Sequence, residues 1–341
     1  MYERNYNMKK KLFGKLPTGE EIYTYTINSG DASLTVMNKG ATIVSFNVYG
    51  KDIIGGYDTL EGYLQDTSHQ GATIGRVANR VAGATFTMDG AVYMLPANNN
   101  GNCLHGGVGF DYRVWDFDEV TDEKISLTYT SADGEEGFPS ELRCKVTFML
   151  SGTELIIDYD ALPLGKTPIA LTNHSYFNLD GFGGTIEDHV ATIYANEYTE
   201  VDEKLIPNGM RPSVKGTAFD FTTPHKIGER VGGEFIGYDH NFILSPVKFA
   251  DYIGKKLGLC AEVSSKELKL SVYTDQPGVQ FYIANFLGNN KPLFRGGVKP
   301  IFHGAFCFET QTEPDCINHG IGFYEAGERY THTTVYKVEK V

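Results

Sequence analysis

Along most of the chain apolar and polar residues alternate with the two-residue period of a half-buried strand. "ATFTMDGAVYML" alternates on both sides of Asp89-Gly90, a two-residue hairpin signature. "KISLTYT" alternates from Ile125, and "LRCKVTFMLSGTELIIDYDAL" reads as two strands joined at Ser151-Gly152. "KELKLSVYTD" and "GVQFYIANFL" continue the pattern, and "HTTVYKVEKV" predicts one more strand. Helical periodicity is scarce. "DTLEGYLQDT" predicts a short helix with Asp58 as its N-cap. Strands and helices do not alternate regularly, which argues against a parallel α/β fold. No Pro/Ser-rich linker, long charge run or evident repeat divides the sequence. The pattern therefore predicts one all-β domain over residues 1–341, a large antiparallel β-sandwich with few short helices.

Composition supports this. The 39 glycines supply turns, and 21 phenylalanines with 21 tyrosines suit strands and a large core. A formal charge of -13 argues against nucleic-acid or anionic-membrane partners. The five cysteines, Cys103, Cys144, Cys260, Cys307 and Cys316, are odd in number and widely spaced, without a CxxC. Free thiols in a reducing compartment, the cytoplasm, fit best. The basic N-terminal cluster has no apolar signal-peptide core behind it, and no stretch approaches the roughly 18 apolar residues of a membrane span. Residues 1–7, ahead of a second methionine at Met8, read as a loose extension.

Several segments carry polar groups where a strand pattern does not need them. "GRVANRVAGATF" places Asn79 and Arg80 in an apolar, Gly-rich context. A surface arginine is usually a solvated charge; this setting makes a ligand-facing guanidinium credible. "NNNGNCLHGGVGFDYRVW" is a loop in which Gly106 and Gly107 follow His105 and allow close approach of the backbone to a ligand. A plain turn explains that stretch equally well. "TNHSYFNL" carries His174 between asparagines, Asn173 and Asn178, that offer partners to the imidazole or to a polyhydroxylated ligand. "GYDHNFIL" carries Asp239, an ordinary turn residue or a hydroxyl acceptor. "QPGVQFYIANFL" holds an unexplained amide, Gln280. In "GAFCFETQTEPDCINH", Glu309 ends an apolar run, where desolvation raises a carboxyl pKa toward the range of a general acid or base. No HExxH, zinc spacing, GxSxG or P-loop occurs, so a metal site is poorly supported.

Taken together, "NR" near "GATF", "LHGG", "TNHSYFNL", "YDHNF", "GVQFY…NFL" and "ETQTEPDCIN" resemble, in order, the motifs of the aldose 1-epimerase (galactose mutarotase) family. The resemblance covers roughly residues 10–340. It implies a galactose mutarotase-like supersandwich with a sugar cleft on the concave face of one sheet, and no cofactor. It assigns His174 as general acid and Glu309 as general base. Asn79, Arg80, His105, Asp239 and Gln280 become the residues that hold sugar hydroxyls and the ring oxygen. The implied partner is a free monosaccharide such as galactose or glucose, bound by a monomer or homodimer. Ile283-Ala284 departs from the Thr-Gly frequent in the family, with an expected effect on pocket shape. The charge of Glu309 is expected to raise the pKa of His174. Other readings are a two-carboxylate glycosidase using Asp239 and Glu309, a non-catalytic carbohydrate-binding module, and a sugar-phosphate epimerase. For the last, the sequence offers only Arg80 as a phosphate ligand.

Overall fold

The alternating segments pair as the pattern predicts. The protein was analysed as a computed structural model describing residues 10–288 and 291–341; the expected extension 1–7 and Met8 lie outside the described residues. Thr85–Met88 and Ala91–Met94 form a hairpin. Its turn residues Asp89 (φ 51°) and Gly90 (φ 82°) both have the positive φ that a type I′ turn requires.

The largest sheet has ten strands, antiparallel throughout. Lys124–Ser131, Leu142–Ser151 and Glu154–Pro163 lie side by side. The C-terminal strand Tyr330–Lys340 inserts between Glu154–Pro163 and Leu268–Thr274, at the centre of the sheet. Register aligns Leu127, Val146, Tyr159 and His332 in one row and Ile125, Phe148, Ile157 and Thr334 in another. Against this face pack a five-stranded sheet (Lys11–Lys15 to Lys51–Asp52) and a four-stranded sheet. Phe46, Val146 and Phe281, one from each sheet, belong to a single buried cluster. Burying each such side chain stabilises the fold by about 1.5–3 kcal/mol. The β-sandwich is therefore the observed architecture, and no helix among the described residues is long and apolar enough to cross a membrane. All five cysteines are buried and free.

Two local expectations need correction. The short helix is Leu60–Gln65, but its N-cap is Thr59, whose hydroxyl accepts from Gly62 N–H at 3.4 Å. Asp58 accepts instead from the distant Gly296 N–H at 2.9 Å. The strand in "GVQFYIANFL" stops at Tyr282, because Ala284 takes φ 56° and turns the chain out of the sheet.

The four-stranded sheet positions the site. Its order is Ala195–Tyr198, Asp239–Leu244, Gly278–Tyr282, Cys307–Gln311. Asn241, Gln280 and Glu309 form one cross-strand row, and Asp239, Tyr282 and Cys307 form the next row on the same face. Phe281 and Phe308 alternate to the opposite face and enter the core, with rings 5.0 Å apart.

Candidate active site

Asn79, Arg80, His105, His174, Asp239 and Glu309 all line one cleft of about 440 Å³, within the usual range for small-molecule sites. Glu309 is the middle residue of Cys307–Gln311 and does not end its strand, as the apolar run before it suggested. The carboxyl is 2% exposed, and its Oε2 has no protein partner. Burial, and then the charge of Asp239, push its pKa well above the usual carboxylate range, with Arg80 opposing. Gln280 pairs directly opposite Glu309. It is absent from the cleft lining and donates through Nε2 to Asp239 Oδ1 at 2.6 Å. Its Nε2 thus braces Asp239, while its Oε1 has no protein partner. The other carboxylate oxygen of Asp239 lies 4.0 Å from Arg80 Nη2.

His174 enters from the opposite side on a segment whose Thr172–Asn173 pairs with Thr73–Ile74. Its N–H donates to Ala72 O and its carbonyl accepts from Gly71 N–H, both at 2.9 Å. The flanking asparagines are committed to this frame. Asn173 donates to Gly71 O, and Asn178 to Gly304 O and Gly184 O. Neither is free for a sugar. The imidazole lies between Tyr176, stacked at 5.0 Å, and His69, at 5.9 Å. Its Nδ1 faces Cys307 Sγ at 3.7 Å, and its Nε2 stands 3.6 Å from Glu309 Oε1. The expected upward pKa shift is reversed: burial, with the charge of His69 adding to it, pushes His174 down to about 3. Desolvation is the larger effect, and the same burial also disfavours the charged form of the neighbouring carboxyl.

His105 and Asn79 lock each other. His105 N–H donates to Asn79 O at 3.0 Å, and Asn79 N–H donates to His105 Nδ1 at 3.2 Å. Since Nδ1 accepts, the proton sits on Nε2. Both residues have positive φ, 55° for His105 and 60° for Asn79. Gly106 meets the protein's own backbone and not a ligand: a Cβ there would stand 2.4 Å from Gly75 O. Arg80 Nε donates to Asn99 Oδ1 at 3.3 Å.

Ligand atoms of His105, His174 and Glu309 lie within 4.8 Å of one another, close enough to raise the question of a cation. A metal-bound histidine normally donates its second N–H to an acceptor. The second nitrogen of His105 accepts instead, and the nitrogen facing the cleft keeps its proton. The trio does not fit a metal ion.

Pattern reading missed His69, Asn99, Tyr176, Tyr282 and Phe286, which also line the cleft. Lys204 and Lys291 are there too, so Arg80 is not the sole cation, although Glu203 stands among them. Tyr176 lies within "TNHSYFNL", where His174 and its asparagines carry the polar signal; the others lie on loops or carry only a common aromatic signal. Ile283 and Ala284 are fully buried outside the lining, so the departure there acts on packing and not on the cleft wall.

The pattern of the Aldose 1-epimerase family matches residues 23–337. Galactose mutarotase from Rattus norvegicus is 41% identical over 97% of this chain and 98% of its own length. Aldose 1-epimerase from Escherichia coli (strain K12) is 34% identical over 94% and 96%. The crystal structure of galactose 1-epimerase from Lactobacillus acidophilus NCFM superposes with a TM-score of 0.86 at 27% identity, covering 98% of this chain and 99% of that one. The chain belongs to the aldose 1-epimerase family. It is an isomerase.

Proposed function

We propose that the cleft interconverts the α and β anomers of free aldoses such as galactose and glucose, with Glu309 and His174 exchanging protons with the sugar. The observation that carries this is the 3.6 Å approach of His174 Nε2 to Glu309 Oε1 in the cleft. Anomer exchange requires the ring to open. The anomeric hydroxyl loses a proton as the ring oxygen gains one, the aldehyde turns, and the ring closes on its other face. Glu309 takes the first proton and His174 gives the second; closure runs the same transfers backwards. Each transfer is worth on the order of 10²–10⁴ in rate.

Burial opposes charge on both members of the pair, raising Glu309 and lowering His174. The open-chain stage, in which the base has gained a proton and the acid has lost one, leaves both groups in the neutral forms that burial favours. The cleft thus favours the high-energy intermediate over the closed sugar. Arg80 and the Nε2–H of His105 supply donors to sugar oxygens, and Asp239, braced by Gln280, supplies an acceptor. Proton transfer needs no cofactor. The cleft draws on residues from Thr67 to Glu309, which supports residues 1–341 acting as one domain. One chain holds every group used, as a monomer or in a homodimer, and five buried free thiols suit the cytoplasm.

His174→Asn and Glu309→Gln should each lower turnover by about 10²-fold or more while leaving the fold intact. Turnover near wild type in either folded variant would remove that residue from the assigned role.

A further inference from the structure

A third histidine stands at the cleft, and the two-proton mechanism does not use it. His69 lines the wall shared with Arg80 and His105, its ring 4.8 Å from that of His105 and 5.9 Å from that of His174. It is held at φ 57°, in the left-handed region that costs a branched-free but bulky side chain about 1 kcal/mol or more. Its Nδ1 lies 2.8 Å from Asp111 Oδ2. Asp111 is itself buried, 5% exposed, and its main-chain carbonyl is tied down by Lys39 Nζ at 2.9 Å. A carboxylate only accepts, so Nδ1 carries the proton, and in the neutral ring Nε2 is a bare acceptor. Nε2 has no protein partner among the described residues.

Apart from Asp239, few acceptors on this wall are free. Arg80 and the Nε2–H of His105 are donors, Asn79 Oδ1 is taken by Arg80 N–H at 2.8 Å, and Asn99 Oδ1 is taken by Arg80 Nε. A sugar hydroxyl that accepts from this wall still has its own proton to place, and leaving that proton unpaired once the sugar displaces water is costly. We propose that His69, oriented by Asp111, is a further substrate-binding and specificity-determining residue, whose Nε2 accepts a hydrogen bond from a non-reacting hydroxyl of the sugar. Glu309 and His174 serve the anomeric hydroxyl and the ring oxygen, so the partner of His69 is a hydroxyl elsewhere on the ring or its side arm. This inference rests on reading the cleft as a sugar site.

The test is equilibrium calorimetry with D-galactose and its 2-, 3-, 4- and 6-deoxy forms. The proteins are wild type, His69→Phe, which keeps a ring against His105, and His69→Gln, which keeps a polar group beside Asp111. The expected result is a Kd for galactose about three- to tenfold weaker in His69→Phe. That penalty should vanish for one deoxy sugar, the one lacking the contacted hydroxyl. Galactose binding unchanged in both variants, or a penalty equal across galactose and all four deoxy sugars, would overturn the contact. Rotation measurements read catalysis separately. A protein with this His69-dependent binding that left mutarotation unaccelerated would keep the contact and overturn the epimerase reading.

Discussion

Glu309 and His174 carry one proton between them from about pH 3, where His174 gains a second, up to the raised value of Glu309. Their titration belongs to the pair. Gaining a second proton below the value of His174 fills the acid and the base together; losing the only one above that of Glu309 leaves nothing to transfer. The expected profile of kcat/KM therefore lacks the acid limb of an ordinary histidine and falls on the alkaline side. An acid limb with a midpoint near 6.5, the value of an unperturbed histidine, would contradict the buried pair. At this scale the sequence was informative about residue type more than about surroundings. The apolar run before Glu309 does signal desolvation, and "TNHSYFNL" does mark His174. The identity of Cys307 and His69 as neighbours of that imidazole comes from chain segments 133 residues away in one case and from a loop ring stack in the other. Neither leaves a local pattern. For the same reason the sequence does not show that the Gln280 amide braces Asp239.

Strands were the most legible elements, because alternation is a local property and each hairpin joins neighbours in sequence. Leu142–Ser151 falls within the segment read as two strands, and Glu154–Pro163 runs one residue past its end. The two-residue pairs that shape the cleft, Cys103–Leu104 with Arg80–Val81 and Thr172–Asn173 with Thr73–Ile74, are too short to show a period. Likewise Thr59 caps the helix because Asp58 is claimed by Gly296, 238 residues away. Within the four-stranded sheet, alternation ties stability to the site: Phe308 holds the core face while its neighbour Glu309 faces the cleft. Phe308→Ala should destabilise the protein by about 3–5 kcal/mol in urea unfolding and also lower turnover, since the strand loses its stack on Phe281. Full turnover at a temperature where the variant is folded would show that this strand does not fix the position of Glu309.

Across the whole molecule, the C-terminal strand sits at the centre of the ten-stranded sheet, a placement that no local signal distinguishes from an edge. It brings His332 into the interior, where its Nδ1 meets Leu171 O and its Nε2 meets Thr310 and Thr334 hydroxyls. Burial lowers His332 to about 4 and His174 to about 3, and holds His105 well below its ordinary value. Below about pH 6.5 the unfolded chain binds protons that these three refuse in the native state, so stability falls as pH falls, by roughly 1.4 kcal/mol per pH unit for each net proton. Glu309, raised by burial, has the opposite sign and offsets one of them. The urea midpoint should drop between pH 7 and 5; a constant or rising midpoint would show that these histidines are not buried in neutral form. The central claim is catalysis of anomer exchange, and polarimetry of freshly dissolved α-galactose tests it most directly. The expected result is a first-order relaxation to the same final rotation as the sugar alone, with a rate constant that rises in proportion to added protein and a protein contribution that falls about 10²-fold or more with His174→Asn. Relaxation at the uncatalysed rate in the presence of folded wild-type protein would contradict it.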